Sequence, residues 1–150
     1  MRTAMIRTLK CLSAAVCGTG FAVLQPLPID AAQLSITVES VRNADGVVTI
    51  DLCSEDSFLG DGCPYSATVE ATEGETIIVI EDVSAGTYGV QGFHDENENT
   101  EMDRNLVGWP LEGFAFANDP EVLFRPPKFG SSSIAIGEED LEIRRRMRYR

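Results

Sequence analysis

The sequence predicts an all-β protein, an antiparallel sandwich of immunoglobulin-like or transthyretin-like type with about seven strands. Short runs of alternating aliphatic and polar residues recur along the chain. Gly, Pro, Asn and Asp gather between those runs as turn signals, and no stretch shows the 3.6-residue apolar period of an amphipathic helix. A small closed barrel would satisfy the same strand count. A chain of 150 residues, 43% of them hydrophobic, is long enough for one domain with a sizeable core. No internal repeat or low-complexity linker divides it.

The first segment stands apart from that domain. Arg2, Arg7 and Lys10 precede an apolar run from Cys11 to Leu24, and Pro26 to Ala32 supplies breakers and small residues. This is the layout of a secretory signal peptide, read here over residues 1–32 with a mature start near Ala32 or Gln33. The run is too short to span a bilayer, and Val16 ahead of Cys17 argues against a lipid anchor. The sequence therefore predicts a single domain over residues 33–150, soluble and exported to the periplasm or beyond the cell.

Removing residues 1–32 takes three of the 12 basic residues and one of the 24 acidic ones, leaving nine against 23 and a formal charge of −14. Such a surface repels phosphate backbones and excludes nucleic acid as a partner. Divalent cations are the natural counter-charge. Cys53 and Cys63 are the pair left after export, and nine intervening residues are too many for a redox Cys-x-x-Cys. They are read as a structural disulfide, worth roughly 2–3 kcal/mol on the chain-entropy model.

Leu34, Ile36 and Val38 alternate with Ser35, Thr37 and Glu39 as one strand, and Val47 to Cys53 makes a second after the turn residues Asn43, Asp45 and Gly46. The two are expected to form a hairpin. Ser66 to Thr72 and Glu75 to Glu81 are the next strands. Thr87 to Phe93 then delivers His94 and Asp95 to the edge of a sheet. Beyond them, Trp109 to Asn118 is rich in aromatics and breakers and is read as an irregular segment folded back on the domain beside the loop that follows Asp95. Ser131 to Ile136 and Leu141 to Tyr149 close the chain as strands, with arginines facing acidic neighbours and Arg145 breaking the apolar face.

The stretch from Asp95 to Asp103 carries the chemistry. Asp95, Asn97, Asn99 and Asp103 fall at positions 1, 3, 5 and 9 of a loop whose position-7 carbonyl belongs to Glu101. Oxygen donors in that order suit calcium, a hard cation. Position 6 is Thr100 rather than glycine and position 12 is Leu106 rather than a bidentate Glu, so the expected affinity is low, about 10⁻⁴–10⁻³ M. Asp95→Ala or Asp103→Ala is expected to abolish the calcium response and leave the calcium-free fold intact. His94, the single histidine, has three readings: a ligand, a group that orients Asp95, or a histidine hydrogen-bonded at a strand end. Trp109 and Glu112 are candidates for a ligand surface or for support behind the metal.

Gly86-Thr87-Tyr88-Gly89-Val90, Phe93 to Asn99, Asp103-Arg104-Asn105, Gly108-Trp109-Pro110, Glu112-Gly113 and Phe116-Ala117-Asn118 resemble domain-of-unknown-function family 2141. That family's pattern looks like Gly-x-Tyr, His-Asp-x-Asn-x-Asn-Gly-x-x-Asp, Gly-x-Pro-x-Glu-Gly and a Phe-Ser-Asn-like triplet. The resemblance covers the mature chain and implies a secreted bacterial all-β domain. Its polar motif falls on His94, Asp95, Asn97, Asn99 and Asp103. Thr100 replaces the family's Gly, and Ala117 its Ser.

Serine catalysis is poorly supported, because no serine stands in a recognisable nucleophile setting for the single histidine to serve, and zinc hydrolysis would want more imidazoles. The sequence reads as a binding or structural module for a protein, peptide or glycan. The alternative is a carboxylate hydrolase acting on glycans, with Glu112 paired with Asp95 or Asp103 as acid and base.

Overall fold

The computed structural model describes residues 31–122 and 125–150. Apart from Ala31 and Ala32, the segment read as an export signal lies outside the described residues. Eight strands follow in order: β1 (Ala31–Val41), β2 (Val47–Cys53), β3 (Tyr65–Glu70), β4 (Gly74–Ser84), β5 (Gly86–Asp95), β6 (Gly113–Phe116), β7 (Ser133–Ile136) and β8 (Leu141–Arg146). They form a sandwich of a three-stranded sheet, β4-β1-β8, and a five-stranded sheet, β3-β2-β5-β6 with β7 also on β5. All pairs are antiparallel except β1 with β8, which run parallel.

Period-two alternation decides which side chains meet. Leu34, Ile36 and Val38 of β1 and Ile78 and Ile80 of β4 face Val48, Ile50 and Leu52 of β2 and Val90 of β5, and all are buried. Each contributes roughly 1.5–3 kcal/mol relative to exposure. Ser40, at φ +64°, sits where the register of β1 shifts, and Asp82, at φ +57°, does the same in β4. Each extra residue re-phases its strand, so that Val41 and Val83 turn inward.

The expected hairpin of the first two strands is not formed. β1 pairs with β4 and β8, whereas β2 pairs with β3 and β5 in the other sheet. Both strands have one apolar face, and residues 42–46 carry the chain across the roughly 10 Å between packed sheets. The two faces then bury each other, which side-by-side pairing would not achieve. β5 is a central strand, not an edge, and His94 and Asp95 are its last two residues.

The segment read as irregular contains a short strand, β6, with Phe114 opposite Phe93 and Phe116 opposite Gln91. Its inward residues are Gly113 and Ala115 and its large residues lie on the outer face, so no polar alternation marks it. Beyond β8 the chain crosses between sheets. The Met147 N–H donates to Glu39 O at 2.8 Å, and Arg148 exchanges two 2.9 Å backbone bonds with Phe114. Arg144 meets Glu39 and Glu75 at 3.0 and 3.2 Å, and Arg145 is only half buried. Cys53 and Cys63 are disulfide-bonded and pin the loop between them.

Candidate functional site

The site is built on the end of β5. Val90, Gly92 and His94 point into the core, so the strand's own period buries the histidine completely. Its Nε2 lies 2.7 Å from Asp45 O and its Nδ1 lies 2.8 Å from the Tyr149 hydroxyl. A carbonyl only accepts, so Nε2 carries the proton and Nδ1 accepts from the phenol. The phenol oxygen in turn accepts from Arg42 N at 3.1 Å. Burial pushes the Tyr149 phenol up, which keeps the donated proton in place. Gly113 makes room for this ring, since a Cβ there would stand 2.4 Å from Tyr149 Cε1. Of the three readings of His94, hydrogen bonding at the strand end is the one this arrangement displays, with both ring nitrogens bonded to groups outside the loop and Nδ1 3.7 Å from Glu96 Oε1.

Glu96 follows, hydrogen-bonded to the Arg42 guanidinium and to Asn43 Nδ2 at 3.2 Å. The Arg42 hydrogen bond holds the Glu96 carboxyl below its ordinary value, against the opposing effect of burial. A folded-state value below the unfolded one means that the stabilisation is present at neutral pH and is lost as pH falls through the folded value. Stability should therefore drop on acidification past the ordinary Glu range near about 4.3, and Arg42→Met should flatten that part of a pH series of urea midpoints. An unchanged slope would remove the pair from the account. The gain is small, because Arg42 is 41% exposed.

Asp95 is 1% exposed. Its Oδ1 accepts from Asn99 N at 3.1 Å and its Oδ2 from Thr100 N at 2.7 Å. Asn97 Oδ1 accepts from Asn99 N at 3.0 Å, and Asn99 Oδ1 from Glu101 N at 2.8 Å. The two amide nitrogens converge on one carboxylate: Asn97 Nδ2 lies 2.7 Å from Asp103 Oδ2 and Asn99 Nδ2 lies 3.1 Å from Asp103 Oδ1. Four of the sequence-predicted residues are thus brought together. Glu101 is exposed, and it enters the loop's bonding through its N–H.

Thr100 takes φ +67° and Glu98 φ +58°. The threonine keeps the turn in register at a cost of order 1 kcal/mol. Thr100→Gly should therefore raise stability by about 0.5–1 kcal/mol, part of the relief being offset by a looser unfolded chain. A lower urea midpoint for that variant would contradict it.

Glu112 clamps the two ends of the loop. It is 4% exposed, and its Oε1 and Oε2 accept from Glu96 N at 3.1 Å and Asp103 N at 3.0 Å. A carboxyl so enclosed has no face open to a glycosidic oxygen, so the pairing of Glu112 with Asp95 or Asp103 as acid and base lacks an accessible partner. Among the described residues no group of three or more His, Cys, Asp or Glu side chains is placed to hold a metal. A cation in this loop would be held by two carboxylates, the carboxamides of Asn97 and Asn99 and backbone carbonyl oxygen. Hard oxygen donors of that kind fit calcium rather than zinc or copper.

From Asp103 the chain runs out and back as a narrow hairpin, with Leu111 N bonded to Asp103 O at 2.8 Å and Asn105 N to Trp109 O at 2.9 Å. Asn105 Oδ1 accepts from Val107 N at 3.1 Å and Trp109 N at 3.0 Å. Trp109 is half buried on the returning arm, its ring 4.3 Å from Arg150 Cζ. Phe114, Ala115 and Ala117 are buried, so the segment does pack back on the domain. The hairpin, the cysteine loop and the outer face of the five-stranded sheet enclose a cleft of about 740 Å³.

Arg42, Glu96 and Tyr149 were not among the candidate site residues read from the sequence, and Gly46 was read there only as a turn residue. Arg42 and Glu96 are 54 positions apart and His94 and Tyr149 are 55 apart, so no local spacing could have joined them. The inward phase of Tyr149 in the closing alternation was the one available signal.

Among curated proteins and among solved structures nothing matches the chain. The family described as "Uncharacterized protein conserved in bacteria (DUF2141)" matches residues 36–144. That span takes in the body of the sandwich, the whole loop from Asp95 to Asp103, and the clamp at Glu112. With about seven-tenths of its length inside the match, the chain belongs to domain-of-unknown-function family 2141.

Proposed function

We propose that this protein is an exported β-sandwich binding module whose Asp95–Asp103 loop is closed by calcium. The observation that supports the calcium reading is the convergence of Asn97 and Asn99 on Asp103, beside an Asp95 carboxylate already fixed by two backbone N–H groups. The loop is pre-gathered, and an ion would take the Asp103 oxygens from the Asn97 and Asn99 amide nitrogens. When bound, calcium would supply positive charge between Asp95 and Asp103, a role the amide N–H groups fill in its absence. The cysteine pairing supports export, because disulfides persist in oxidising compartments.

Asp103→Ala is the discriminating variant. Asp95→Ala is not, because Asp95 is buried and holds the turn through Asn99 and Thr100; its loss destabilises the protein with or without metal, contrary to the expectation from sequence. Calorimetric titration should give a dissociation constant of about 10⁻⁴–10⁻³ M. At a few-fold excess of calcium, a gain of about 1 kcal/mol should raise the melting temperature by about 3–5 °C. Asp103→Ala should remove both the heat and the rise. Absence of heat at millimolar calcium, or an unchanged response in Asp103→Ala, would reduce the loop to an acidic turn. N-terminal sequencing of the exported protein should begin at Ala32 or Gln33.

A further inference from the structure

We infer that the cleft on the outer face of the five-stranded sheet binds a small amphipathic anion, an aromatic or acyl body carrying one carboxylate, sulfonate or phosphate. The inference rests on the reading of the protein as a binding module and not on the calcium site. Phe93 and Phe116 project from β5 and β6 into the cleft, and Trp109 stands over it from the hairpin. A cleft of about 740 Å³ is the size that takes a small ligand.

Charge selects the class. Of the nine basic residues in 33–150, three line this one cleft, Arg104, Arg125 and Arg150. Three carboxylates, Asp51, Asp61 and Glu101, line it as well, so it is locally neutral in a domain with a formal charge of −14. Asp51 is spent on Ser66 Oγ at 2.6 Å and Gln91 Nε2 at 3.4 Å. Elsewhere three arginines serve the fold: Arg42 binds Glu96, Arg144 binds Glu39 and Glu75, and Arg148 binds the Pro120 and Asp119 carbonyls. Arg104 meets no carboxylate within ion-pair distance among the described residues and gives Nη1 to Gly108 O at 3.3 Å. Arg150 lies on the face of Trp109. A cation would find carboxylates over the whole surface. An anion with an apolar body finds guanidinium beside an aromatic floor at this place, where a planar fork suits carboxylate or phosphate.

The test uses the exported protein and 8-anilinonaphthalene-1-sulfonate as the probe, with the uncharged N-phenyl-1-naphthylamine as its counterpart. Trp109 is the one tryptophan in the chain, so energy transfer from it reports binding to the domain, and the response to Arg104 substitution places it in this cleft. The sulfonate should bind saturably at one site per chain with energy transfer. Arg104→Glu should weaken it about tenfold or more, and Arg104→Gln should weaken it less. The neutral probe should bind at least about tenfold more weakly and ignore both substitutions. Circular dichroism and urea midpoints of both variants establish that they are folded. Equal binding of the two probes, indifference of the sulfonate to Arg104, or binding without energy transfer would overturn the inference. Titrations with calcium and with chelator separate the two readings: probe binding without a calcium response sinks the calcium site alone, and a calcium response without probe binding sinks this one alone.

Discussion

Gly46→Ala should destabilise the protein by roughly 3 kcal/mol or more. Gly46 has φ +66°, and a Cβ there would stand 2.0 Å from Asp95 O and 2.8 Å from Glu96 Cα. Neither obstacle is a flexible side-chain end, so backbone must move. The left-handed conformation costs an alanine about 1–2 kcal/mol, and overpacking of this kind a further 1–3 kcal/mol. The displaced strand end carries His94 and Asp95, and the Gly46 carbonyl also accepts from Ala71 N at 3.0 Å. The variant should therefore lose loop geometry along with stability. A urea midpoint equivalent to within about 0.5 kcal/mol of the parent, the range of an ordinary surface change, would show that the turn yields without cost.

Glu112→Ala should lower stability by about 3 kcal/mol, and Glu112→Gln by about 1–2 kcal/mol. The glutamate offers a charged acceptor to two backbone N–H groups at the two ends of the loop, Glu96 and Asp103. Hydrogen bonds to a charged group contribute about 1.5–3 kcal/mol each, and part of that returns when water enters the space left by alanine. Glutamine keeps one acceptor and turns an N–H toward the other donor. Hydrogen exchange at the Glu96 and Asp103 amides should accelerate in the same order. If both variants unfold with the parent's midpoint, Glu112 does not hold the loop.

What could be read from the chain followed from period-two alternation and short spacing. Leu34, Ile36 and Val38 announced their strand, Tyr88, Val90 and Gly92 announced the one that ends at the loop, and Asp95 to Asp103 announced a gathering of oxygens. These are local properties. β6 escaped notice because Phe114 and Phe116 are its outward residues and Ala115 is its inward one, so no polar face gave it away.

The sequence by itself determined the all-β class, the phases of the strands with alternating faces and the loop that carries the candidate ligands, because a side chain's face is set by its place along its own strand. The tertiary structure alone decided that β1 and β2 lie in opposite sheets, that Glu112 closes the loop, and that Asp45, Tyr149 and Arg42 converge on His94 and Glu96. Those contacts join residues nine to 55 positions apart, beyond the reach of any strand's own alternation. Their free energy depends on burial against a partner face, which exists only once both sheets have packed.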